Sequence, residues 1–171
     1  MNRLADPAWA DPLDTSFSAK TGGRWNAPGT YAVLYLNGSL HTAVIQVRHR
    51  LAGQPFEIED LDPEEQHDLV EVTVPDDDYL DCISDQGLTA VGLPASYPLD
   101  RAGHPVGHDV CRPIGARAHA ERLPGVACRS AANGADRSDE ELAVFDHAAG
   151  GVQATARRPF ADWYLNRSEQ Q

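Results

Sequence analysis

Prolines and glycines cut this chain into short pieces, and that division most limits what it can fold into. Pro28-Gly29, Gly53 with Pro55, Pro75, the series Pro94, Pro98, Pro105 and Pro113, then Pro124-Gly125 and Gly150-Gly151 recur along the length. Each is costly inside a regular element, because proline lacks the amide donor and glycine loses the most backbone freedom on ordering. The apolar stretches between them suit strands of about five residues and helices of about twelve. Ala32 to Leu36 is such a strand. Leu40, Ala43, Val44, Val47 and Leu51 then repeat at three-to-four spacing, which predicts a helix capped by Asn37 or Ser39 and stopped by Gly53 and Pro55.

Beyond an acidic, turn-like stretch from Asp60 to His67, Val70, Val72 and Val74 alternate with Glu71 and Thr73, the pattern of a strand with one wet face. Tyr79–Ile83 reads as a strand and Ser84–Leu93 as a short helix. Residues 94–113 read as loop, with Pro113 in the first turn of a helix running to about Arg122. Val126–Arg129 is a strand entering Ser130, residues 131–138 are a polar loop, and Glu141–Phe145 is the last strand. Residues 1–20 read as an irregular lead-in anchored by Trp9 and Phe17, while Phe160, Trp163 and Tyr164 pin the C-terminal segment. Short strands mixed with a few helices, without a βαβ rhythm, predict an α+β fold in a single domain over 1–171, short central strands flanked by helices.

Charge narrows the function classes. Fourteen basic against 26 acidic residues give a formal charge of −12, which argues against direct nucleic-acid binding and against docking on anionic lipid. No apolar run approaches the roughly 20 residues of a membrane helix, and the N-terminus lacks the apolar core of a secretory signal. Cys82, Cys111 and Cys128 have no framework spacing and read as free thiols of a reducing compartment, so a cytoplasmic protein is expected. His104, His108, Asp109 and Cys111 have ligand-type side chains but sit in a loop without an evident fourth ligand, so they read as surface residues and no metal site is expected. Glu57, Glu59, Asp60, Asp62, Glu64 and Glu65 read as a solvated acidic face that a basic partner could use.

The most informative stretch is Gly22-Gly23-Arg24-Trp25-Asn26-Ala27-Pro28-Gly29, followed by Val33-Leu34-Tyr35. Pro28-Gly29 suits the centre of a type II turn. Arg24 offers a planar fork of donors fit for paired phosphate oxygens, and an arginine salt-bridged in a loop is the plainer alternative. Trp25 reads as packing, and Tyr35 by itself as core.

This run resembles the opening signature of the RES domain, a family named for its Arg, Glu and Ser. Cys128-Arg129-Ser130-Ala131 resembles the segment carrying the family's serine, and the likeness spans about residues 10–147. The resemblance implies a fold like the ADP-ribosyltransferases. It also implies a toxin of a bacterial toxin–antitoxin pair, partnered by an Xre-like helix-turn-helix antitoxin. NAD is then a substrate and not a bound cofactor, cleaved at the nicotinamide–ribose bond with water or phosphate as acceptor. By motif, Arg24 grips NAD phosphate, Tyr35 packs the nicotinamide side, Asn26 joins the substrate contacts, and Ser130 bonds substrate or the catalytic side chain.

The family's glutamate falls here on Gln46. A carboxylate beside the cationic ribose of the transition state stabilises it by charge, whereas Gln keeps only the hydrogen bond. Either activity survives weakened, or Glu140 or Glu141 supplies the charge, or the protein binds NAD or an antitoxin without turnover. Transfer of ADP-ribose to a protein is a third reading. Arg50 stands one turn from Gln46 and joins the candidates. Restoring Glu at position 46 is expected to raise turnover. A homo-oligomer is left open.

Overall fold

The computed structural model describes residues 1–166, so residues 167–171 of the expected domain lie outside the described residues. In chain order the elements are β1 (Asn2–Ala5), α1 (Ser16–Thr21), β2 (Val33–Asn37), α2 (Leu40–Leu51), a 3-10 turn (Ile58–Asp60), β3 (Asp68–Thr73), β4 (Leu80–Cys82), α3 (Asp85–Val91), α4 (His108–Ala120), β5 (Gly125–Arg129), β6 (Glu140–Phe145), α5 (Asp146–Ala149), β7 (Gln153–Arg158) and α6 (Phe160–Trp163). This is the expected α+β arrangement in one domain.

The strands form one mixed sheet in the order β4-β5-β6-β2-β1-β3-β7. Only β4 and β5 run parallel; the other pairs are antiparallel. The centre of the sheet is its weak seam. β2 pairs with β6 from Val33↔Phe145 to Asn37↔Glu141, and β1 pairs with β3 from Asn2↔Glu71 to Ala5↔Asp68. β1 and β2 share only Asn2↔Asn37, after which they part.

Side-chain alternation on β2 sends Val33 to one face and Leu34 to the other. Val33 joins Trp25, Cys128, Ala143 and Phe145 under Leu88 of α3 and Cys111 and Ala118 of α4. Leu34 and Leu36 join Ala5, Val70, Leu142 and Val144 on the opposite face. A further cluster packs Ala43, Val44 and Val47 of α2 against Leu69 and the aromatic trio Phe160, Trp163 and Tyr164, so the C-terminal segment is pinned as expected. α2 has its expected bounds, and of the two candidate caps Ser39 is used: its Oγ accepts from the Thr42 amide at 3.0 Å. All three cysteines are free and buried.

Three expectations need correction. The lead-in contains strand β1 and helix α1, and Phe17 is 60% exposed, so it is not a core anchor. Glu140–Phe145 is not the last strand: β7 follows and pairs with β3. Its Gln153-Ala154-Thr155-Ala156-Arg157-Arg158 sequence has no large apolar residue, because an edge strand exposed on both faces needs none. Finally, α4 begins at His108, five residues before the Pro113 expected to open it. Pro113 is exposed, so the Asp109 carbonyl it leaves without an amide can be hydrated.

Candidate active site

Where β1 and β2 part, a cavity of about 700 Å³ opens, within the range of roughly 300–1,000 Å³ typical of ligand sites. Both halves of the sheet line it: Arg3 and Leu4 come from β1, Tyr35 and Asn37 from β2, and Glu141 from β6. Gln46 and Arg50 reach in from α2, and Gly23 and Arg24 from the loop before β2.

The chemistry concentrates on Glu141. Its Oε1 accepts hydrogen bonds from Ser130 Oγ, at 2.5 Å, and from the Gln46 side-chain amide. That leaves Oε2 without a hydrogen-bond partner among the described residues. Burial pushes the Glu141 carboxyl above the usual range, while the two donors and the charge of Arg24 pull it back. The three residues arrive from separate elements, and each placement has a cause. Gln46 sits on α2 between Ile45 and Val47, both buried. Ser130 follows β5 and is held by its own amide to the Asp139 carbonyl, at 2.6 Å. Asp139 in turn accepts from Thr42 Oγ1 at 3.1 Å, which ties the polar loop to the start of α2. Glu141 shares its face of β6 with Ala143 and Phe145, whereas Glu140 points to the other side and is exposed. Of the two carboxylates considered, the structure brings Glu141 into the site and leaves Glu140 out. Ser130 is fully buried, and its hydroxyl is given to Glu141.

Arg24 approaches from the opposite wall. Its Nη1 donates to the Val106 carbonyl at 2.9 Å and lies 3.8 Å from Cys111 Sγ. Nε and Nη2 have no partner among the described residues, so they remain for a ligand. The loop that presents Arg24 is built around Tyr35. The Tyr35 hydroxyl accepts from the Trp25 amide at 3.1 Å and donates to Asn26 Oδ1 at 2.9 Å. Burial raises its pKa, so it is a neutral phenol. A methyl on Gly23 would overlap that hydroxyl, which is why glycine stands there. Pro28-Gly29 forms the expected turn, with Gly29 at φ +74° and the Thr30 amide bonded back to the Ala27 carbonyl. Asn26 departs from its expected substrate contact. It is fully buried, its amide donates to the Ser18 and Tyr31 carbonyls, and it works as the core of the loop.

Two features escaped the sequence reading. Arg3 lines the cavity while nearly buried, stacked over Trp9 at 5.4 Å and donating to the Asp14 carbonyl. Its Nη1 has no partner among the described residues. Burial lowers its pKa to about 10, so it stays a cation at neutral pH. Strand pairing with β3 is what brings Arg3 here, and no local signal in residues 1–5 announces it. The second feature is His67. Arg50 Nη1 lies 3.0 Å from His67 Nε2, and a guanidinium only donates, so this nitrogen accepts. Burial and Arg50 both lower the His67 pKa and keep it neutral. The cavity thus carries three arginines against the carboxylates of Glu141 and Asp6, a basic pocket on an acidic chain.

The residues weighed for a metal do not assemble. His104 pairs with Asp100 at the surface, and exposed His108 lies beside Arg112 at the cavity wall. Cys111 is buried against Arg24, not on the surface as expected. No helix among the described residues is long and apolar enough to cross a membrane.

Comparison with known proteins agrees with this architecture. No curated protein matches the chain. Among solved structures, the fold is similar to one titled as the M. tuberculosis MbcT–MbcA toxin–antitoxin complex, with a TM-score of 0.76 and 22% identity over 98% of this chain and 87% of the other. The model of the RES domain matches residues 1–164, wider than the expected 10–147 and including Arg3 with the Arg24 loop, Gln46, Ser130 and Glu141; the chain belongs to the RES domain family.

Proposed function

We propose that this protein is an NAD-consuming toxin that breaks the nicotinamide–ribose bond, with Glu141 as the group that stabilises the cation formed. One observation carries the reading: a half-buried carboxylate, fixed by Ser130 and Gln46, faces an arginine-lined cavity of dinucleotide size. Nicotinamide leaves as a neutral base with the bonding electron pair, and the positive charge passes to the ribose ring. A carboxylate held in a half-buried place stabilises that charge without reorganising. Water or phosphate then adds to the ribose carbon and gives up a proton. The free donors of Arg24 suit the pyrophosphate, and the Tyr35 ring forms the wall beside the nicotinamide ribose. Ser130 and Gln46 act through Glu141 as positioning residues. The partner would be an Xre-like antitoxin in the bacterial cytoplasm, drawn by the acidic surface.

The test is purified protein with NAD, with and without phosphate, followed for nicotinamide release and NAD loss. ADP-ribose as product identifies water as the acceptor, and its phosphorylated form identifies phosphate. Label appearing on protein instead selects transfer of ADP-ribose to a protein. Tight NAD binding without release overturns the enzyme reading in favour of a silent binder. Toxicity on expression, relieved by the adjacent gene product, supports the toxin role.

A further inference from the structure

The last turn of α4 meets the junction of β6 and α5 away from the cavity. His119, Asp146 and His147 come together there, each offering one nitrogen or oxygen, all within 4.8 Å of one another. His119 Nε2 lies 2.9 Å from Asp146 Oδ1, and His147 Nδ1 lies 3.5 Å from the same oxygen. Ligands bound at about 2.0–2.1 Å around a tetrahedral ion stand about 3.3 Å apart, so small side-chain adjustments would seat an ion.

His147 supplies an independent sign. Its Nε2 is 2.9 Å from the Leu123 carbonyl, which only accepts, so Nε2 carries a proton and, in the neutral ring, Nδ1 holds a lone pair. Nδ1 is buried and has no hydrogen-bond partner among the described residues. A lone pair left this way is unfavourable. Metal-bound histidines use the same division, one nitrogen on the ion and the other N–H on a carbonyl. The His119 ring is also held in place, stacked on Tyr31 at 3.9 Å and edge-on to Phe145 at 5.3 Å.

We propose that His119, Asp146 and His147 bind one divalent transition ion of the zinc class, with solvent completing its coordination. Two imidazoles and one carboxylate suit Zn²⁺ or Co²⁺, whereas Mg²⁺ and Ca²⁺ prefer all-oxygen sites. Asp146 is 42% exposed, which leaves the ion a path in and room for water. None of the three residues lines the cavity. The ion would tie the end of α4 to the sheet, and the Tyr31 hydroxyl donates to the Trp25 carbonyl in the loop that presents Arg24. Its role is therefore to stiffen the wall of the site.

The test uses the full chain, stripped with a chelator and titrated with Zn²⁺ by calorimetry and with Co²⁺ by visible absorption. The expected result is one ion per chain, a raised melting temperature, and a Co²⁺ spectrum of low coordination number; Mg²⁺ gives none of these. His147→Gln and His119→Gln should each weaken binding by more than about tenfold, while His104→Gln leaves it unchanged. If His147→Gln does not fold, His119→Gln and the parent's Co²⁺ spectrum decide. No Zn²⁺ binding by the parent, or binding that folded His119→Gln retains at full strength, overturns the proposal.

Discussion

Replacing Glu141 by Gln removes one charge and almost nothing else. Gln keeps a carbonyl oxygen that can accept from Ser130 Oγ and from the Gln46 amide, so the three-way contact survives. A half-buried carboxylate about 4 Å from a developing positive charge, at an effective dielectric constant of about 20, contributes about 4 kcal/mol. At about 1.4 kcal/mol per decade, its loss lowers kcat by roughly a thousandfold. KM for NAD should hold within about threefold, because the arginines that line the cavity are left untouched. Stability should move the other way. Burial raises the Glu141 pKa, so the native state keeps this proton at pH values where the unfolded chain has lost it. The parent therefore loses stability from this group as pH rises from the ordinary carboxyl range through the raised value, and Glu141→Gln does not. The melting difference, variant minus parent, should be more positive at pH 7 than at pH 4. Parent turnover should rise with pH through the same raised value, since the ionised form does the work. Nicotinamide release and thermal melts across pH measure all of this. A folded Glu141→Gln protein that keeps more than about a third of parental kcat would refute the reasoning.

Arg24→Ala should abolish NAD binding with the fold intact, since its free donors face the cavity; calorimetry with NAD checks it. Arg3→Gln should raise KM for NAD by about tenfold or more and leave kcat nearly unchanged, because a buried cation with an unpartnered Nη1 suits a phosphate remote from the bond broken. Gly23→Ala should cost about 1–3 kcal/mol in a denaturant melt, as the new methyl must displace the Tyr35 hydroxyl. Gln46→Glu should fail to raise turnover at neutral pH and should lower stability, reversing the gain expected from sequence, because it sets a second carboxylate against Glu141.

What could be read in advance follows from how local each cause is. α2 has its expected bounds because its cap, its apolar stripe and its stops all lie within about 16 neighbouring residues. The Arg24 loop is equally local, since its glycines and Pro28 fix the turn directly. β1 and β7 were missed because pairing with β3, not their own composition, makes them strands. For the same reason Arg3 could not be placed, as its importance comes from the seam between β1 and β2. The choice between Glu140 and Glu141 is not local either. Alternation puts Glu141 and Glu140 on opposite faces, but Leu142 and Val144 are buried as fully as Ala143 and Phe145, so only the packing of the sheet shows which face meets the cavity. The α4 boundary was misplaced because Pro113 is tolerated on an exposed helical face, where water can replace the lost amide.

The amide at position 46 makes sense only together with the carboxylate at 141. Glu141 Oε1 takes two donors, Ser130 Oγ and Gln46 Nε2, and both come from side chains. A glutamate at 46 has no proton to donate when ionised, so the pair would have to share one and titrate as a unit. With Gln46 the donor is permanent, and Glu141 can ionise alone while the Gln46 carbonyl oxygen stays available for a sugar hydroxyl. The charge that the family pattern carries on the helix after Tyr35 thus lies one strand away on β6, facing the same cavity. On the proposed reading, loss of glutamate at the motif position is not loss of the negative charge at the site, and Gln46 positions the carboxylate that remains.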